Sequence, residues 1–410
     1  MNLIVEKTNK LTGEITVPPS KSHTHRAIIL SSLAHGTSFI KNPLFAKDCN
    51  ATITACRSIG AKITKEKSGL LIKGNSGCII PSLKTIDVGN SGTTLRLMSA
   101  IVAHSSKVVI LTGDKSIQQR PIEPLISCLN DLGAKAFTVN NNGKPPVSIR
   151  GVINGGETTL DGISSQFLSG LLISCCLASK DSVIHVDNLK SKPYVDMTLH
   201  YLKQSGIEII NHEYKKFQIP GRQKFHPQSY TIPGDFSSAS FLFAAAYITS
   251  SNIQIKGLDY DDIQGDKKIL SIMESMKNDE NREIDLSNTP DLLPIIAVLA
   301  CFADGITTLI NASHARLKES DRIAAMASEL QKMNASIKET ADGLIIHPSR
   351  LKGTKVSGHK DHRIAMALSI AGLQAEGITE ITDADTIAIS YPLFIESMQQ
   401  LQANMKLVKT

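Results

Sequence analysis

One unit recurs along this chain and limits what the chain can fold into: an apolar helix, a Gly-Ala or near equivalent at its end, then two short strands around a turn. The clearest copies read CRSIGAKITKEKSGLLIKG, CLNDLGAKAFTVNNNGKPPVSIRG, LKQSGIEIINHEYKKFQIPG and LQKMNASIKETADGLIIHP, with helix ends at Gly60, Gly133, Gly206 and Asn334. The first two intervals are equal, and the longer gap before Asn334 leaves room for a degenerate copy near SMKNDENREIDLS. A sixth helix, LFIESMQQLQANMKLVKT, closes the chain with almost no hairpin after it, whereas the N-terminus opens on a hairpin, LIVEKTNKLTGEITVP, that no helix precedes. The two ends therefore complete one copy together. Six copies divide as three plus three, so residues 20–234 form one domain and residues 1–19 join 235–410 in the other. The crossings near Pro18-Pro19 and Pro233-Gly234 are short and contain proline, which suits a hinge of two strands.

A second helix set has the same period and starts more polar than it continues: SKSHTHRAIIL, GNSGTTLRLMSA, SSQFLSGLLISCCLA, GDFSSASFLFAAA, PDLLPIIAVLA and DHRIAMALSIAG. In the third, Phe167, Leu171 and Cys175 with Leu168, Leu172 and Cys176 form a stripe that buries one side. Ser, Asn, Gly and Asp at such starts are ordinary N-caps when met singly, and for GDFSS that is the better reading. Quasi-symmetric packing would bring the six starts to one end of each domain, where unpaired N–H groups and helix dipoles favour anions.

Composition narrows the partners. Lys and Arg number 44 against 38 Asp and Glu, a formal charge of +6 spread along 410 residues, too small and dispersed for a nucleic-acid or membrane surface. A small anionic substrate fits better. The seven cysteines are irregularly spaced and lie mostly in apolar stretches, which argues for reduced thiols and against a disulfide framework or a zinc site. The N-terminus lacks the basic leader and apolar core of a signal peptide, and LLPIIAVLACFA falls short of the roughly 20 residues a bilayer requires. The reading is a cytoplasmic protein, with no metal-ligand spacing anywhere.

Several polar clusters bear on chemistry. Lys21, Ser22 and Arg26 in PPSKSHTHRAIIL surround one helix entrance, which reads as a phosphate or carboxylate site or as a capped surface helix. Gly92 follows Gly89, Asn90 and Ser91 in a close-approach turn without the spacing of a Rossmann or P-loop fingerprint. Arg120 before Pro121 reads as a solvated cap, and Ser164, Ser165 and Gln166 as neutral donors at a helix start. SHARLKESDRIAAM gathers His314, Arg316, Lys318, Glu319, Asp321 and Arg322 ahead of an amphipathic helix, and GHKDHRIAM adds His359, Lys360, His362 and Arg363. Asp291 at the mouth of an apolar helix reads by itself as a cap rather than a catalyst.

SKSHTHRA, GNSGTTLR, QQRPIEPL, SSQFLSGLL, SKPYVDMT, GDFSSASFLF, RLKESDRI and DHRIAMA occur in the order seen in the 5-enolpyruvylshikimate-3-phosphate synthase family, which the chain resembles from about residue 3 to about residue 400. The resemblance implies an α/β fold, a two-domain inside-out α/β barrel with three βαβαββ-type repeats per domain, helices inside and sheets outside. This agrees with the repeat count. It implies transfer of an enolpyruvyl group from phosphoenolpyruvate to the 5-hydroxyl of shikimate 3-phosphate in a cleft between domains, by a monomer needing no metal or organic cofactor. For shikimate 3-phosphate it implies Lys21, Ser22, Arg26, Ser164, Ser165, Gln166 and Ser191, with Tyr194 beside them, and Asp291, His314 and Lys318 around the ring. For phosphoenolpyruvate it implies Lys21, Gly92, Arg120, Gln166, Arg322 and Arg363, and as catalysts Asp291, Glu319 and Lys21. His314 stands where many members have Asn, and Ile389 where some have a Lys. The branch acting on UDP-N-acetylglucosamine usually has a Cys in the loop that here reads GDKSIQQRP. A non-enzymatic phospholigand-binding protein built of repeats would have no use for Asp291 and Glu319 together.

Overall fold

In the computed structural model, which describes residues 1–278 and 280–409, most repeats contribute one helix with almost no solvent-facing side. The chain divides into two compact units, one of residues 19–233 and the other of residues 1–18 with the segment from Gly234 to the C-terminus. The first contains α1 (Lys21–Leu33), α2 (Lys47–Ser58), α3 (Gly92–Val102), α4 (Glu123–Asp131), α5 (Ser165–Cys175) and α6 (Lys192–Gln204). The second contains α7 (Phe236–Ile248), α8 (Ile269–Ser275), α9 (Leu293–Phe302), α10 (Arg322–Lys332), α11 (His362–Gly372) and α12 (Phe394–Gln400). The odd-numbered helices form the interior. All of α11 is buried, as is α9 from Leu293 to Cys301. In the second unit α7, α9 and α11 pack on one another; in the first α3 packs on α5, while α1 packs on α2 and α6.

For α5 the structure corrects the one-sided stripe. Every residue of this helix except Gln166 is buried. The face left over by the apolar stripe carries Ser169, Gly170 and Ser174, small enough to let α3 approach: a Cβ on Gly170 would sit 3.0 Å from the Arg96 carbonyl oxygen and 3.2 Å from the Ala100 Cβ. The Ser174 hydroxyl donates to the Ala100 carbonyl at 2.7 Å, so a polar side chain is satisfied without water.

Among the described residues five four-stranded sheets and one two-stranded sheet cover these helices. Strands such as Thr37–Lys41 and Ile378–Thr382 place buried residues at alternate positions, turning one face of the sheet to the helices and the other outward. Each four-stranded sheet begins with a parallel pair and continues antiparallel; Thr85–Asp87, Val109–Thr112, Val147–Arg150 and Lys135–Thr138 follow that order. This is the inside-out α/β arrangement, helices within and sheets without. In the 19–233 unit the last strand, Ser229–Thr231, pairs parallel with Thr37–Lys41 and completes the first repeat. The backbone N–H of Ser20 donates to the Pro233 carbonyl at 2.8 Å, tying that unit's ends; in the other unit Asp235 N–H donates to the Pro18 carbonyl at 2.9 Å.

Two details depart from the repeat as read in the sequence. The opening strands Asn2–Glu6 and Glu14–Thr16 do not form a hairpin with each other. Asn2–Glu6 lies antiparallel between Ile378–Thr382 and Met405–Val408, and Glu14–Thr16 pairs parallel with Gln254–Lys256. The connection between them is too long for a tight turn and buries Leu11, whose N–H donates to Ser251 Oγ at 2.8 Å. The copy placed near SMKNDENREIDLS also lacks its returning strands among the described residues. Strand Arg282–Asp285 pairs parallel with Thr307–Ile310 and so opens the next repeat. No described helix is long and apolar enough to cross a membrane.

Gly69 and Gly343 hold matching places in their repeats, at the start of the returning strand. A Cβ would lie 2.0 Å from the Ile40 carbonyl oxygen at Gly69 and 1.8 Å from that of Leu309 at Gly343. Backbone cannot yield as a flexible side chain would. Gly343→Ala should therefore cost about 1–3 kcal/mol by forcing the strands apart, read as a lowered urea midpoint with unchanged slope. An unchanged midpoint would show that the returning strand can shift freely.

Candidate active site

Polar residues gather at helix starts in each unit. In the unit containing the C-terminus the cluster is built around a guanidinium. Arg322 opens α10 and is 1% exposed, yet three carboxylates reach it. Its Nε donates to Asp361 Oδ2 at 2.8 Å, Nη1 to Asp291 Oδ1 at 2.7 Å and Nη2 to Glu319 Oε2 at 2.6 Å. Burial alone would lower its pKa; these carboxylates reverse the shift and hold the guanidinium above its ordinary value.

Asp291 occupies a short turn, Pro290–Leu292, ahead of α9. It is a point of convergence. Besides Arg322 it accepts from Arg363 Nη2 at 3.0 Å and pairs with Lys318 Nζ at 3.4 Å. Desolvation, with help from Arg322 and Arg363, lowers the Lys318 pKa, although Asp291 and Glu319 oppose it. The caps are made by neighbours: Asp321 accepts from Ala324 N–H at the start of α10, and Asp361 from Arg363 N–H at the start of α11. Asp235 caps α7, as the GDFSS stretch suggested. His314 is buried in the turn Ser313–Leu317 and Ile389 at the end of Ala384–Ile389.

One carboxyl of this cluster was not singled out from the sequence. Asp266, 2% exposed, accepts a hydrogen bond from the Ser237 hydroxyl. Burial, then the charge of Asp291, pushes it up to about 6, with Arg363 pulling the other way. Asp361, quoted within DHRIAM but given no role, proves to be the innermost anion, 0% exposed. An acid directly before a helix reads as a cap, which it is; its second service to Arg322 depends on a residue on another helix.

In the 19–233 unit the entrance of α1 is not a free surface cap. Lys21 Nζ pairs with Asp48 Oδ2 of α2 at 3.2 Å. Arg26, 3% exposed, donates from Nη1 to the Ser22 carbonyl at 3.0 Å, from Nε to Thr198 Oγ1 at 2.8 Å and from Nη2 to the Tyr194 carbonyl at 2.8 Å. Burial lowers its pKa to about 10. These bonds bring the starts of α1 and α6 together, with Ser191, in the left-handed region at φ 58°, directly before α6.

A second group links α3, α5 and the turn before α4. Ser164 caps α5, accepting from Gln166 N–H at 3.4 Å, and Ser165 is buried beside it. Gln166 Nε2 donates to Thr93 Oγ1 at 2.9 Å while its Oε1 accepts from Arg96 Nη1 at 2.7 Å. Arg120 is 5% exposed rather than solvated, donating from Nη2 to Asn90 Oδ1 at 3.0 Å and Ser116 Oγ at 3.1 Å. Gly92 makes room for it, since a Cβ there would lie 2.8 Å from Arg120 Nη1. Arg96 and Asn90 went unassigned in the sequence. Arg96 follows Gly92 by four residues and so shares its helix face, a signal that was available. Asp48 had no signal beyond that of an acid at a helix start.

Residues 5–398 match the family model described as EPSP synthase (3-phosphoshikimate 1-carboxyvinyltransferase). The chain is similar to the 3-phosphoshikimate 1-carboxyvinyltransferase of Acetivibrio thermocellus, at 43% identity over 98% of this chain and 99% of that one. With the protein of the same name from Ruminiclostridium cellulolyticum it shares 42% identity over the full length of both. Among solved structures, an EPSP synthase from Acinetobacter baumannii superposes with a TM-score of 0.84 at 27% identity, each chain being covered completely.

Both carboxylate observations can be tested through stability. Arg322→Met leaves Asp291, Glu319 and Asp361 without their shared cation and should cost about 3–5 kcal/mol at neutral pH, measured by urea unfolding. At Asp266, a carboxyl that ionises near 6 when folded and at the ordinary 3.8 when unfolded keeps a proton that the unfolded chain has already lost. Its contribution to stability therefore falls as pH rises from about 4 to about 6. Asp266→Asn removes that slope, so the variant should gain on the wild type by about 1–3 kcal/mol between pH 4 and pH 7. Parallel stability curves for the two proteins would show that Asp266 titrates normally.

Proposed function

The chain belongs to the EPSP synthase family, and we propose that its two clusters divide between them the transfer of an enolpyruvyl group from phosphoenolpyruvate to the 5-hydroxyl of shikimate 3-phosphate, with release of phosphate. Lys21, Ser22, Arg26, Ser164, Ser165, Gln166 and Ser191 hold shikimate 3-phosphate, whose ring hydroxyls face Asp291, His314 and Lys318. Gly92, Arg120, Arg322 and Arg363, with Lys21 and Gln166, hold phosphoenolpyruvate. Thiol chemistry fits a cytoplasmic setting: Cys78 is exposed, the other six cysteines are buried, and none of the seven is in a disulfide.

The observation that carries the reading is the convergence of Lys318, Arg322 and Arg363 on the carboxylate of Asp291. A base must be fixed in place, and three cations fix this one. They also weaken it, because each favours the ionised form. An incoming phosphoenolpyruvate offers its own carboxylate and phosphate to Arg322 and Arg363. As those guanidiniums turn to the ligand, Asp291 loses countercharge and becomes a stronger base at the moment the 5-hydroxyl lies beside it. The same exchange loosens Glu319 from Arg322 and lets it hold the proton for the methylene carbon.

Chemistry then runs in two steps. Asp291 takes the proton of the 5-hydroxyl as the oxygen attacks C2, and C3 receives a proton from Glu319 with Lys21 near the phosphate. The resulting tetrahedral phosphate-bearing intermediate expels phosphate, which carries off the hydroxyl proton taken by Asp291, as the methyl group returns a proton to Glu319. Alignment and charge neutralisation supply most of the acceleration.

Asp291→Asn separates this role from a structural one. The amide keeps the shape and can still accept from Arg322, but it takes no proton at neutral pH. Phosphate release should fall roughly 10²–10⁴-fold. Shikimate 3-phosphate, titrated calorimetrically, should bind within a few-fold of wild type, since Arg26 and Ser164 hold its phosphate. Near-native turnover in this variant would remove Asp291 from the catalytic set.

A further inference from the structure

The turn that delivers Asp361 and Arg363 is under strain, and the residue that holds it lies outside the cluster. His359 and Lys360 are consecutive non-glycine residues with φ of 51° and 53°. Two left-handed residues in a row persist only where the surroundings over-determine them. Some of the restraint is internal: Asp361 N–H donates to the Gly358 carbonyl at 2.9 Å and Gly358 N–H to the Thr382 carbonyl at 3.1 Å. The rest comes from Glu329 on α10, whose side chain is 1% exposed.

Glu329 reaches the turn from both sides of its carboxylate. Oε2 accepts from Ser357 N–H at 2.9 Å, at the end of strand Lys355–Ser357, and Oε1 from His359 Nε2 at 2.7 Å. Lys332 Nζ, 2.8 Å from each oxygen, supplies countercharge from the half-exposed rim of α10. Burial would push this carboxyl up, but the bonds from Lys332, Ser357 and His359 outweigh it, and the group sits below the ordinary glutamate value. Glu329 lies seven residues after Arg322, two helical turns on, so both occupy one face of α10. That face therefore grips the segment before α11 twice, Arg322 at Asp361 and Glu329 at Ser357 and His359.

We infer that Glu329 is a positioning residue for the reaction: through Ser357 and His359 it sets the turn that aims Arg363 and Asp361, and so governs the affinity of the site for phosphoenolpyruvate. The inference rests on the reading of Arg363 as a phosphoenolpyruvate ligand. Lys332 touches the same carboxylate without touching the turn, which gives an internal control.

The test measures phosphate release by the wild type and by Glu329→Gln, His359→Ala and Lys332→Ala, varying each substrate with the other saturating. Glu329→Gln should raise KM for phosphoenolpyruvate about fivefold or more while KM for shikimate 3-phosphate stays within about twofold, because only the Arg363 side of the site is misplaced. His359→Ala should move the same constant in the same direction by about two- to fivefold, and Lys332→Ala should leave both within about twofold. Both KM values unchanged in Glu329→Gln, or both rising together, would overturn the inference. So would His359→Ala behaving like Lys332→Ala, and that pair decides the matter if Glu329→Gln fails to fold, since His359 and Lys332 are both partly exposed. A wild type that releases no phosphate from the two substrates overturns the functional reading itself, and this inference with it.

Discussion

A helix without a solvent-facing side must be enclosed on every side, and much of this structure follows from that requirement. α5, α9 and α11 are buried almost throughout. Sheets that cover such helices have only their outer faces left for water, so they are pushed to the periphery. The same burial leaves a helix one place to carry polar groups at low cost, its ends. There the backbone N–H groups lack intrahelical partners and the dipole favours negative charge. Ser91, Ser164, Asp235 and Asp361 each cap an interior helix, and the candidate site residues stand beside them.

The two clusters handle charge differently. Around Arg322 the cations Lys318, Arg322 and Arg363 are met by the carboxylates of Asp291, Glu319 and Asp361. Around Arg26 the hydrogen-bond partners among the described residues are neutral, a hydroxyl and two carbonyls, and burial lowers its pKa. A phosphate that takes no part in bond making suits the second environment, whose field favours an anion. Groups that must exchange partners during a reaction suit the first.

Repeat number, helix positions and most cluster members were legible in the sequence because each depends on residues close together in the chain. Pairings between distant segments were not. The apolar stripe of α5 was legible, but not the burial of the opposite face, whose small residues meet α3 and which only the packing shows. The opening strands alternate as a hairpin would, yet the partners of Asn2–Glu6 lie at the other end of the chain. Asp291 illustrates the same limit at the site. From the sequence alone a cap was the better reading; only the folded chain shows Lys318, Arg322 and Arg363 meeting on this carboxylate.

The placement of Asn2–Glu6 between Ile378–Thr382 and Met405–Val408 also bears on how the molecule is made. Its first strand leaves the ribosome long before either neighbour exists, whereas all the pairings of residues 19–233 lie within that segment. The inserted unit can assemble while translation continues, and the flanking unit has to wait for Met405–Val408 to emerge. Until then an apolar strand carrying Leu3 and Val5 stays unpartnered, so the order of synthesis, more than the stability of the finished fold, sets the interval in which this chain is open to mispairing.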